Sequence, residues 1–194
     1  MSSPIRLAYR AGQTALDADE IGGLRMGWVT TREALDGVEQ ENIQAGIDWA
    51  RGSRRALLSD AFLRELHRRM FSDVWEWAGR YRISEKNIGV APHRIAECVR
   101  NLVDDTRLWM SEKVYSTDER VARFHHRLVS IHPFPNGNGR FSRAAADLLM
   151  RRIGGPMFTW GTSLPHEQAR RGYIDALRTA DAGDFAVLLR FVRL

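Results

Sequence analysis

Only one cysteine, Cys98, occurs in the 194 residues, so no disulfide can close within the chain and a reducing compartment is the simpler setting. Lysine is almost as scarce, with Lys86 and Lys113 against 27 arginines. That skew is explained more simply by codon usage than by a nucleic-acid-binding face. The arginines are also scattered and often stand beside Glu or Asp, so a net charge of +5 and a pI near 10.0 do not by themselves argue for DNA or RNA. No apolar run approaches the roughly 20 residues that cross a bilayer. The first residues carry Arg6 and Arg10 with no apolar core behind them, and the expectation is a cytoplasmic protein without a membrane partner. No Gly-Lys pair occurs anywhere, which removes a P-loop. Repeats, linker-like runs and low-complexity stretches are missing as well. At 22.2 kDa the chain suits one domain with a core large enough to stand without metals or cross-links.

Chemistry-bearing residues concentrate in twelve positions, His132-Pro133-Phe134-Pro135-Asn136-Gly137-Asn138-Gly139-Arg140-Phe141-Ser142-Arg143. Pro133 and Pro135 lack amide hydrogens and disfavour helix at the preceding residue, so the helical pattern running up to Ile131 must break near His132. Gly137 and Gly139 tolerate positive φ and let successive N–H groups turn inward as an anion-binding nest. Helical spacing resumes through Ala144, Ala145, Leu148 and Leu149, which sets the nest at a helix N-terminus. Arg140 and Arg143, three apart in the first turn, can grip two phosphates with their planar forks. His132 can serve as general base near neutral pH, and Asn136 offers a neutral oxygen, a weaker ligand for Mg²⁺ than a carboxylate. The bland alternatives are a packing histidine and an ordinary Gly-Asn-Gly turn. A zinc site from His125, His126 and His132 is disfavoured, because on a continuous helix His125 and His132 stand about 10.5 Å apart along the axis.

These residues carry a resemblance. The stretch is similar to the signature of the Fic family, H-x-F-x-(D/E)-G-N-G-R-x-x-R, matched by His132, Phe134, Gly137, Asn138, Gly139, Arg140 and Arg143, with Asn136 at the acidic position. The resemblance implies an all-α, Fic-type helical domain with a short β-hairpin flap. It also implies protein adenylyltransferase activity, with ATP and Mg²⁺ required. In that picture His132 deprotonates a hydroxyl of a target protein, whose oxygen attacks the α-phosphorus of ATP. Phe134 anchors the loop, Gly137, Asn138, Gly139 and Arg140 hold the β-phosphate, and Arg143 reaches the γ-phosphate. Loss of the acidic side chain at Asn136 predicts weaker Mg²⁺ binding than in acidic members. The alternatives are transfer of UMP or a phosphoryl group, removal of AMP from modified protein, or a non-enzymatic nucleotide- or partner-binding module.

Residues 1–28 read as an irregular N-terminal arm and 29–194 as the domain. Thr30 or Thr31 caps a helix through about Ala50. Within it Glu41 and Asn42 resemble the family's inhibitory (S/T)-x-x-x-E-(G/N) motif, although Gly37 replaces the hydroxyl residue; the resemblance implies that Glu41 pairs with Arg143. Helices are further expected from Ser59 or Asp60, from about Ile95 to Met110, from a Thr117 cap to Ile131, from Arg140 to about Gly154, from a Ser163 cap through Ala180, and through Leu189 and Phe191. Asn87, Ile88, Gly89 and Val90 fall where the family's flap docks the target backbone by strand addition. Small bacterial members of the "mobile mystery protein B" kind, linked to mobile elements and toxin-antitoxin pairs, imply a protein antitoxin or regulator as partner.

Overall fold

A computed structural model describes residues 15–194, and within them every regular element is a helix, apart from one isolated bridge. A short helix, α1 (Ala18–Gly22), opens the described chain inside the segment expected to be irregular. Residues 1–14 of that expected arm lie outside the described residues. Helix α2 (Arg32–Gly52) starts at Thr31, whose hydroxyl accepts from Ala34 N–H at 3.2 Å. Helix α3 (Asp60–Phe71) is capped by Ser59 in the same way. A 3-10 turn at Pro92–Arg94 leads into α4 (Ile95–Glu112). Helix α5 (Thr117–Ile131) and helix α6 (Asn138–Arg152) flank the signature loop. Helices α7 (His166–Asp181) and α8 (Ala186–Phe191) close the chain.

Three boundaries differ from expectation. Ser116, not Thr117, caps α5, its hydroxyl accepting from Glu119 N–H. Helix α6 begins two residues ahead of Arg140, at Asn138. Pro165 takes the N-cap position of α7, while the Ser163 hydroxyl donates to the Leu194 carbonyl at 2.6 Å. The expected flap hairpin does not form either: among the described residues the one bridge is Leu24 with Trp75, and the segment after Tyr81 runs as irregular loop.

The core is built where α3, α5 and α6 meet. Phe62, Leu66, Met70 and Phe71 of α3 pack with Phe124 and Leu128 of α5 and with Phe141 and Ala145 of α6, all essentially sealed from solvent. These positions recur at three and four residues, which places them on one face of each helix. Helix α2 lies against the C-terminal half of α3 at close range. Asn42 donates to the Arg69 carbonyl at 3.2 Å and accepts from Asp73 N–H at 3.1 Å, taking up polar groups that the end of α3 leaves over. No helix of the described residues is long and apolar enough to cross a membrane.

Gly46 sets the α2–α3 distance, since a Cβ there would lie 2.6 Å from Met70 N and 2.8 Å from Arg69 O, both backbone atoms. Gly46→Ala is expected to lower unfolding free energy by about 2 kcal/mol through forced separation of the helices. Gly37→Ala on the open side of α2 should raise it by about 0.5–1 kcal/mol. Urea titration of the two variants checks both signs, and equal shifts would refute the packing argument.

Candidate functional site

The signature loop is shaped by four side chains and two glycine-like turns. Helix α5 stops at Ile131 because Pro133 follows His132, and His132 itself turns left-handed with φ 53° and ψ 59°. Phe134 then drops into the core, fully buried, with its ring 3.7 Å from the ring of His67 and edge-on to Phe141. Asn138 fixes that descent: its Oδ1 accepts from Phe134 N–H at 3.0 Å and its Nδ2 donates to the Phe134 carbonyl at 2.8 Å. Gly137 has φ 78°, and a Cβ there would meet the Phe71 ring at 2.5 Å, so conformation and space both demand glycine. His67 supports the loop from α3. Its Nδ1 accepts from Gly79 N–H at 3.0 Å, which leaves the proton on Nε2 to donate to the Asn136 carbonyl at 3.1 Å.

Helix α6 opens without a side-chain cap. Its first ladder bond runs from Phe141 N–H to the Gly137 carbonyl at 2.9 Å, so the N–H groups of Asn138, Gly139 and Arg140 precede the ladder. Gly139 faces open space, which leaves the backbone approachable there. Together these make an anion cradle at the positive end of a fifteen-residue helix. Arg140 donates from Nη1 to Glu39 Oε2 at 2.7 Å. The Arg143 guanidinium lies over the Tyr173 ring at 5.4 Å and has no carboxylate within ion-pair reach among the described residues.

His132 is 5 % exposed and lies beneath residues 84–90, the irregular loop that stands where the flap hairpin was expected and is called the flap below. Val90 N–H donates to the Ile131 carbonyl at 3.2 Å and Arg82 N–H to the Pro133 carbonyl at 3.0 Å. Gly89, at φ +107°, passes so near that a Cβ would stand 2.7 Å from His132 Cβ. Burial pushes the His132 imidazole down to about 4, with the Val129 carbonyl opposing and the charges of Arg82 and Lys86 adding to the drop. The ring is neutral at pH 7 and can accept a proton.

The structure therefore gathers His132, the glycine turn, Asn138, Arg140 and Arg143 at one place, with Gly89 and Val90 against them. Asn87 and Ile88 face solvent beside the loop. The expected contact of Glu41 with Arg143 is not found: Glu41 is exposed, about 200° round α2 from Glu39. Glu39 is instead buried against the site, accepting from Trp75 Nε1 at 2.7 Å through one oxygen while the other meets Arg140. Asn42 packs on α3, away from the arginines. Glu39, His67, Trp75 and Arg82 were not singled out from sequence as site residues. Glu39 and His67 did leave a signal, since each is a polar residue on the apolar stripe of its helix, with Leu35, Ile43 and Ala50 or with Leu63, Leu66 and Met70.

The residues present do not build a metal centre. Asn136 Oδ1 accepts from Gly137 N–H at 2.7 Å, and no group of three or more His, Cys, Asp or Glu among the described residues could hold an ion. One neutral, partly engaged oxygen is too little for a divalent cation.

A helical domain with an imidazole beside an open helix N-terminus and two arginines defines an anion-binding architecture with a base at its edge. The chain belongs to the Fic/DOC family, whose model matches residues 57–150. It is 36% identical over 137 residues to protein adenylyltransferase fic-1 of Caenorhabditis elegans, covering 66% of this chain and 25% of that protein. It is 30% identical to protein adenylyltransferase Fic of Aedes aegypti, over 84% of this chain and 34% of the relative. The chain thus spans a quarter to a third of the length of these curated relatives. Among solved structures, C. elegans Fic-1 superposes with a TM-score of 0.61 at 31% identity, covering 80% of this chain and 48% of the other. BepC of Bartonella tribocorum, solved with bound AMPPNP, shares the fold at a TM-score of 0.70 and 17% identity, covering 95% and 93% of the two chains.

Burial holds three histidines down: His67 and His125 to about 3, His132 to about 4. Their folded pKa lies below the ordinary 6.5, so their neutrality has no effect above that value. As pH falls from 6.5 towards 4, the unfolded chain takes protons that the folded one refuses, and stability is lost. Each histidine fully in play contributes a slope of about 1.4 kcal/mol per pH unit. Unfolding titrations between pH 7 and 5 should show the decline, shallower by one proton in His67→Phe; a flat profile would refute it.

Proposed function

We propose that the chain transfers AMP from ATP to a hydroxyl side chain of a protein target, with Mg²⁺ carried in on the nucleotide. The observation that bears most weight is the neutral imidazole of His132 at the mouth of an uncapped helix that presents Asn138, Gly139 and Arg140 N–H groups. A triphosphate seated on that helix end meets the positive dipole and two guanidiniums. The Asn138 amide is occupied in closing the loop, so its backbone N–H, not its side chain, is the phosphate donor.

The reaction balances as a displacement at phosphorus. His132 removes the proton of the target hydroxyl as its oxygen bonds to the α-phosphorus. The bond from α-phosphorus to the bridging oxygen breaks, and pyrophosphate leaves with its charge held by the helix end, Arg140 and Arg143. A base near 4 is weak in the empty site. Phosphate charge close to the imidazole favours its protonated form and lifts its pKa towards the working pH.

Arg140 is not available in this state, because Glu39 holds it. On our reading Glu39 is an inhibitor carried in cis, doing what the resemblance assigned to Glu41 or to a separate antitoxin. Incoming phosphate must displace a buried carboxylate fixed by the Trp75 indole. Charge-assisted pairs of this kind contribute roughly 1.5–3 kcal/mol, which corresponds to a hold on nucleotide of about 10- to 100-fold.

Two experiments check the reading. Incubation with Mg²⁺, lysate and ATP labelled at either the α- or the γ-phosphate should move only the α label onto protein, and His132→Ala should remove it; transfer of the γ label would make the protein a kinase. Glu39→Gln keeps the bond to Trp75 but removes the charge, and ATP affinity should tighten by about 10- to 100-fold, with faster α-label transfer. An unchanged affinity in calorimetry would rule out Glu39 as inhibitor.

A further inference from the structure

Arg82 is 2 % exposed, yet among the described residues no carboxylate forms an ion pair with its guanidinium. All three of its side-chain nitrogens donate to backbone carbonyls instead. Nε reaches the His132 carbonyl at 2.7 Å, Nη1 the Ser84 carbonyl at 2.8 Å, and Nη2 the Val90 carbonyl. Ser84 and Val90 stand at the two ends of the flap, so one planar fork closes that loop upon itself and onto the base. Its own N–H takes the Pro133 carbonyl, and Val90 N–H takes that of Ile131. Three successive carbonyls, of Ile131, His132 and Pro133, are therefore all satisfied from the flap side. The Ile131 and His132 carbonyls end helix α5, where the dipole is negative and a cation is favoured.

We infer that Arg82 is a positioning residue for the transfer reaction, locking the backbone of His132 in its left-handed turn and making flap and base one rigid unit. This rests on the AMP-transfer reading above. Its consequence is mechanical. A target backbone laid along the flap brings its hydroxyl to the imidazole in a register fixed by Arg82, because neither partner can shift without the other. All three nitrogens of the Arg82 fork are spent on backbone carbonyls, so its role runs through the backbone of His132. Lysine cannot replace it, having one compact head in place of a three-pronged plane. The site is also built too tightly for a larger neighbour: a Cβ on Gly89 would stand 2.6 Å from Arg82 Nη2.

The charged groups around this point are few. Lys86, from the same flap, lies near His132 but is itself held by Asp17 at 3.0 Å and Glu20 at 2.6 Å. Glu20 and Glu85 are the carboxylates whose charge reaches Arg82. Removing the Arg82 charge thus leaves the imidazole with less positive surroundings as well as a looser backbone.

The test places Arg82→Gln and Arg82→Lys in the Glu39→Gln protein and compares α-label transfer, ATP binding by calorimetry, and the His132 Cε1 signal in ¹H–¹³C spectra. The expected result is unaltered ATP affinity and stoichiometry, a loss of transfer rate of about 30-fold or more, and a His132 signal that broadens or moves. In Arg82→Gln that signal should also titrate at higher pH than in the parent, whereas Arg82→Lys, which keeps the charge, should lose rate without that titration shift. Full transfer in either variant would overturn the inference. So would ATP stoichiometry falling in step with rate, which marks general unfolding, or a His132 signal identical to the parent's. If the Glu39→Gln parent itself transfers no label, the transferase reading fails, and the His132 signal alone then decides whether Arg82 holds the imidazole.

Discussion

The amide of Asn138 is the tie on which the site depends. With one end on Phe134 N–H and the other on the Phe134 carbonyl, it closes the loop at its narrowest point, in a place where neither backbone group can reach water. The same residue is the first of α6. Loop closure and helix start are therefore one event, and the position of His132 relative to the open helix end is not adjustable. Phe134 makes the arrangement costly to undo, since lifting its ring from between His67 and Phe141 would expose the centre of the core.

Charge is arranged around that fixed loop with a bias. Each cation near the cradle has been given a partner that a triphosphate could replace or would leave alone. Arg140 has a carboxylate, Arg143 a ring face, Arg82 only carbonyls, and Lys86 two carboxylates of the segment before α2. Burial keeps His67, His125 and His132 neutral in the empty site, so none of these three competes there as an imidazolium for the carboxylates. An anion entering this site meets fixed dipoles and guanidiniums already oriented, the condition under which electrostatic stabilisation needs no reorganisation.

Much of this was legible in the sequence, for identifiable reasons. The helices of the core announced themselves because Phe62, Leu66 and Met70, or Val121, Phe124 and Leu128, repeat at the helical period and nothing else explains that repeat. The signature was legible because prolines and glycines impose backbone conformations that do not depend on the rest of the fold. What was not legible depends on which face a helix presents. The motif match pointed to Glu41, whereas the stripe of Leu35, Ile43, Gly46 and Ala50 puts Glu39 inward. Arg82 carried no local signal at all. Its partners are carbonyls, which every residue has, so only the folded chain could show that an arginine is held there.

The segment before α2 shows how far the site extends beyond the part of the chain that carries its motif. The family model covers 57–150, yet Glu39 comes from α2 and Glu20 from α1. Glu20 joins both halves of the site. Its carboxylate meets Lys86 and Ser84 of the flap, while its carbonyl accepts from Trp77 Nε1 at 2.9 Å. Trp77 stacks on Trp75 at 5.0 Å, and Trp75 holds Glu39. Leu24 bridges to Trp75, and Glu76 N–H donates to the Gly23 carbonyl at 2.9 Å. The carboxylate that restrains Arg140 and the loop that covers His132 are thus braced from one short stretch. A piece cut to the motif-bearing residues would lack both the brace and Glu39 itself, so the state in which Arg140 is held belongs to the longer unit.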